Sequence, residues 1–151
     1  MSSADLPPVT DSAELQNVLT RYVDSCDGYV QAAEVIEAPH LKAAFLEIAG
    51  RREVIVKRIS TLIRRQGAKP DQEGSPEAAV HRWWIRARAQ MSTEELEATL
   101  AECVRGEKEL ERTVRDALEH GALDSANAAT LGEIATELRA AIHTFETALG
   151  R

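Results

Sequence analysis

Aromatic side chains are scarce in this chain, with two Trp, two Tyr and two Phe among 151 residues. Sandwiches and barrels lean on aromatic and β-branched residues alternating with polar ones. Few stretches here alternate, so strands are poorly supported. Eight glycines are too few for a phosphate-cradling loop, and no G-x-S-x-G nucleophile elbow occurs. No apolar run approaches the ~18 residues needed to cross a bilayer. No basic start followed by an apolar run marks a secretory leader. The only two cysteines, Cys26 and Cys103, both fall on helical apolar stripes. That favours buried free thiols in a reducing compartment over a disulfide, and nothing in the sequence activates either thiol as a redox pair. Positive charge is the minority sign, 18 Lys and Arg against 25 Asp and Glu, a net −7. The global basic field that holds nucleic acid is therefore missing. The expectation is a soluble cytoplasmic protein that neither spans a membrane nor binds nucleic acid.

What the chain does have is helical periodicity. Residues 1–11, with Pro7-Pro8, read as a flexible N-terminal tail, and residues 12–150 as one domain. Asp11 and Glu14 have capping-box spacing ahead of a helix over about Ser12–Glu37, whose seam is Leu15, Leu19, Tyr22, Cys26, Tyr29, Ala33 and Ile36. Ala38-Pro39 breaks it. A second helix, about His40–Gln66, must fold back antiparallel. Its seam is Leu41, Phe45, Ile48, Arg52, Ile55, Ile59 and Leu62, and Gly67 suits its end. Ser75-Pro76 opens a short helix to about Gln90, and Ser92 with Glu95 caps the next long one. That third helix carries Leu96, Leu100, Cys103, Leu110, Val114 and Leu118 on one stripe and ends at His120-Gly121. Asp124 or Ser125 caps a last helix to about Gly150, with Leu131, Ala135, Leu138, Ile142, Phe145 and Leu149 as its seam. Two tight turns and one long middle connection predict an all-α four-helix bundle. The extra short helix in that connection could run back along the bundle or lid one end.

Two seam positions hold the wrong residue for a core. Arg52 sits amid the second stripe and Glu107 amid the third, each within roughly 30° of the stripe centre at about 100° per residue. If the middle connection is a full crossover, the two helices run parallel and the charges meet. A buried ion pair follows, with bidentate geometry open to it. The competing reading makes Glu107 a metal ligand with Glu34 and His143, Arg52 tuning the site, and Fe, Mn or Zn as the ion. A di-iron bundle needs a helical E-x-x-H on each of two helices. The single E-x-x-H here, Glu37 to His40, straddles the helix break. The stretch His81-Arg82-Trp83-Trp84-Ile85-Arg86-Ala87-Arg88 is basic and aromatic, which suits either an anchor on the bundle or an anionic surface.

Asp27-Gly28-Tyr29 followed by Ala32-Ala33-Glu34 resembles a bacterial four-helix-bundle family of unknown function. That family is assigned to the ferritin-like superfamily and discussed with stress-associated proteins. The resemblance continues through Ala49 to Arg52, Gly74-Ser75, His81-Arg82-Trp83, Arg105-Gly106-Glu107 and His143, covering about residues 15–149. It implies a ferritin-like fold and a polar set of Asp27, Glu34, Arg52, His81, Glu107 and His143. The chain departs from the pattern at Cys103-Val104, where an acidic residue is common, and in lacking a helical E-x-x-H. The first expectation is thus a stress-associated bundle without catalysis that binds a partner or forms a homo-oligomer. The alternative is a metal-binding ferritin-like protein with oxidase or peroxide-scavenging activity. A third reading is an anionic-surface binder using the Arg/Trp helix.

Overall fold

The computed structural model of the chain describes residues 9–74, 93–120, 123–148 and 150. They form four α-helices, α1 (Val9–Val35), α2 (Pro39–Arg65), α3 (Thr93–His120) and α4 (Ser125–Ala148), with no strand among the described residues. The short helix expected over Pro76–Gln90 and its Ser75-Pro76 start lie outside them, as does the Ser92 cap.

Most helix ends follow local chemistry. The expected start of α1 at Ser12, capped by Asp11, needs correction, because the helix is already under way at Val9. Capping-box spacing marks a place where a helix can start, and does not exclude a helix that already runs through it. At the other end α1 stops at Val35 rather than Glu37. Ala38 is extended (φ −63°, ψ 114°), as a residue before proline prefers, and Pro39 opens α2. Gly67 follows α2 with φ +80°, and the amides of Gly67 and Ala68 donate back to the carbonyls of Arg64 (2.9 Å) and Ile63 (3.3 Å). This is the left-handed glycine stop. Asp124 caps α4, its Oδ1 accepting from the Asn127 amide at 2.8 Å.

The buried stripes are wider than the seams read from spacing. Val18, Ala32, Val56, Ile63, Val104, Ala117 and Ile134 are buried beside the expected residues, because a bundle helix faces two neighbours. The core has two lobes. One gathers Leu15 to Val23, Ile55 to Ile63, Leu110 to Ala117 and Leu131 to Leu138. The other gathers Tyr29 to Ile36, Phe45 and Ala49, Leu100 and Val104, and Phe145. The start of α1 thus shares one end of the bundle with the end of α2, the end of α3 and the start of α4. It follows that α2 and α3 run parallel, with the end of α2 and the start of α3 at opposite ends of the bundle. Helix α1 packs on both α2 and α3, and α3 packs on α4. The Arg58–Glu133 ion pair (2.8 Å) links α2 to α4. Neighbours are therefore antiparallel, and α2 and α3 face each other across the diagonal.

The start of the long connection is tied down. The Gln16 side-chain amide pairs with the backbone of Asp71, donating to its carbonyl (2.8 Å) and accepting from its N–H (2.9 Å). Gln72 donates to Ser60 (3.0 Å) and Ser12 to Gln66 (3.0 Å). These contacts hold the chain against α1 as it leaves α2.

Candidate functional site

A polar cluster lies where the two core lobes meet. Parallel α2 and α3 bring Arg52 and Glu107 to the same level from opposite corners. Arg52 Nη2 donates to Glu107 Oε2 at 2.6 Å, with the two side chains 1% and 2% exposed. The geometry is not bidentate. The second oxygen, Oε1, accepts instead from the Tyr29 hydroxyl at 2.6 Å. Arg52 Nη1 donates to Ser25 Oγ at 3.3 Å. The guanidinium also lies 5.5 Å from the Tyr22 ring centroid and 6.0 Å from that of Tyr29. Both rings thus present π-faces to a desolvated cation.

Aromatic packing holds Tyr29 in place. Its ring stacks with Phe145 (6.0 Å, interplanar 1°) and meets Phe45 edge-on (5.4 Å). Phe45 and Phe145 also meet edge to face. All of the chain's Tyr and Phe residues are therefore gathered around one charge pair.

Electrostatics match this enclosure. Burial, the largest single influence, pulls the Arg52 pKa down, but Glu107 together with Tyr22 and Tyr29 outweighs it and the pKa is raised. Burial pushes the Tyr22 hydroxyl up, and burial with the Glu107 carboxylate pushes Tyr29 well up. The Cys103 thiol, one turn before Glu107, is pushed up to about 12, mainly by burial. Cys26 is raised for the same reason, and its thiol donates to the Ala49 carbonyl at 3.4 Å. Both cysteines are free thiols.

Two polar atoms of the cluster have no hydrogen-bond partner among the described residues, Arg52 Nε and the Tyr22 hydroxyl. The two tyrosines should therefore behave differently. Tyr29→Phe is expected to destabilise by about 1–3 kcal/mol, because it strips a donor from a buried carboxylate. Tyr22→Phe is expected to be neutral or stabilising. Urea denaturation of the two variants measures the contrast, and a larger loss at Tyr22 would contradict it.

The polar set implied by the resemblance does not gather in one place. Arg52 and Glu107 are central, whereas Asp27, Glu34 and His143 are exposed, and His81 lies outside the described residues. Among the described residues no three His, Cys, Asp or Glu side chains come close enough to hold a metal ion. The donor set at Glu107 also suits a cation poorly, since a guanidinium already sits 2.6 Å from one oxygen. The Arg/Trp stretch from His81 to Arg88 is likewise outside the described residues. No helix among those described is long and apolar enough to cross a membrane. Spacing alone passed over Tyr29, Tyr22 and Ser25, which read as ordinary seam or edge positions. The available signal was that a buried tyrosine hydroxyl asks for a partner.

These features define an all-α four-helix bundle with a charged, hydrogen-bonded centre. Residues 11–120 match the family model of a domain of unknown function, DUF2383, and the chain belongs to that family. The match takes in α1 to α3, and with them every side chain of the polar cluster. No curated protein and no solved structure matches the chain.

Proposed function

We propose that this chain is a ferritin-like bundle of the bacterial, stress-associated kind that works in the cytoplasm through its outer surface. It acts by self-association or by binding a partner, and its polar centre serves the fold rather than a reaction. The observation that carries this reading is the double engagement of Glu107. Tyr29 and Arg52 each take one carboxylate oxygen. Each oxygen keeps a further lone pair, but a cation brought to it would lie beside the buried Arg52 guanidinium, 2.6 Å from the carboxylate. Displacing that guanidinium would leave a bare buried charge, which is unfavourable. The arrangement matches the use of buried ionic groups to fix the relative position of packed helices.

Elemental analysis of protein purified without chelator tests the reading. Fe, Mn and Zn are expected well below one equivalent. A full equivalent of any of them, lost in a Glu107→Gln variant that keeps its helical circular dichroism, would overturn it in favour of the metal-binding alternative.

A further inference from the structure

The outer face of α2 carries side chains out of place for solvent. Leu46 is 49% exposed and Val54 58% exposed. They lie on one i, i+4 row with Gly50 between them. A Cβ built on Gly50 would meet nothing within 4 Å, so no contact among the described residues requires a glycine there. Glycine is the weakest helix former after proline. Its place in mid-helix, between two exposed apolar residues, fits a face that another backbone approaches closely. The row is a notch flanked by two knobs, the shape that ridges-into-grooves packing uses.

We propose that this face is the contact between two copies of the chain, with the α2 helices antiparallel about a two-fold axis near Gly50. The proposal rests on the self-association reading above and names its surface. Charge selects the occupant. The exposed pair Glu47–Arg51 (2.6 Å) flanks the row. An axis near Gly50 brings Glu47 of one copy to within about one residue pair, roughly 3 Å of rise, of Arg51 of the other, and the reverse. Two intramolecular pairs then join into a ring of four alternating charges. This is the isologous self-complementarity that a two-fold contact demands. In the same register Leu46 of each copy meets Val54 of its partner, and the two Gly50 backbones face each other. A contact of one helix face falls below the ~1,200 Å² of standard interfaces, the size class of transient association.

Sedimentation velocity on the full chain across micromolar concentrations tests the proposal, with circular dichroism as a folding control. The wild type is expected to dimerise. Val54→Asp is expected to raise the dimer dissociation constant by at least about tenfold, with helicity unchanged. Gly50→Ala should raise the melting temperature of the monomer through helix propensity while weakening the dimer. Glu47→Arg should dissociate the dimer, and Glu47→Arg with Arg51→Glu should restore it. A wild type that stays monomeric throughout overturns self-association altogether. A dimer indifferent to Val54→Asp and to the charge swap overturns this surface and leaves self-association standing.

Discussion

Glu107→Ala is expected to lower the stability of the chain by about 3–5 kcal/mol, the range found when one member of a buried pair is removed. The reason is what stays behind. Arg52 is 1% exposed and would keep its charge with only a serine hydroxyl and two ring faces for company. Tyr29 would lose its acceptor as well. For a chain of this length the loss corresponds to a melting temperature lower by roughly 10 °C. Replacing both charges by apolar residues of similar volume, Arg52→Met with Glu107→Leu, is expected to recover most of it, because no bare charge remains. Thermal and urea denaturation of the single and double variants decide the matter. A Glu107→Ala protein within about 1 kcal/mol of wild type would mean that water reaches the guanidinium and that the centre is not closed.

Alkaline pH should unfold the chain in a single steep step. Tyr22 and Tyr29 both have folded-state pKa values above the ordinary 10.0, and Cys103 stands at about 12 against 9.0. The unfolded chain releases these protons at the ordinary values while the folded chain retains them. The folded state therefore binds more protons, and stability falls as pH rises. The contribution is fully present below about pH 9, begins to fade there for the Cys103 thiol, and fades from about pH 10 for both hydroxyls. Each group can shift the balance toward unfolding by up to about tenfold per pH unit within its window. Since these are the chain's only tyrosines, tyrosinate absorbance should appear together with loss of helical circular dichroism. A smooth tyrosine titration near pH 10 in protein that is still helical would show that the rings are accessible.

Much of the bundle is legible in residue spacing, and the limits of that legibility have physical causes. Apolar residues three and four apart place four long helices, because a helix must bury one stripe. Pro39 and Gly67 mark boundaries through backbone restrictions that act locally. Arg52 and Glu107 stand out because a charge amid leucines and isoleucines requires a reason. That α2 and α3 run parallel is not local. It depends on the course of residues 66–92, and periodicity within a helix says nothing about that course. The roles of Tyr29 and Ser25 are hidden for another reason. A tyrosine or serine on a seam reads the same whether its hydroxyl bonds a buried carboxylate or reaches water. The start of α1 is not legible because capping-box spacing at Asp11 looks the same whether a helix begins there or is already under way at Val9. The Gln16 clamp on Asp71 could not be anticipated, since any exposed glutamine would look alike.

The diagonal placement of the two charges bears on how the chain reaches its native state. Arg52 belongs to the hairpin of α1 and α2, whereas its counterion arrives on a helix 55 positions later in sequence. A hairpin that closed early would have to hide a bare guanidinium against Tyr22 and Ser25 or leave its own interior wet. Half a bundle is therefore an uphill species, and the molecule is driven toward all-or-none assembly in which the third helix locks the first two.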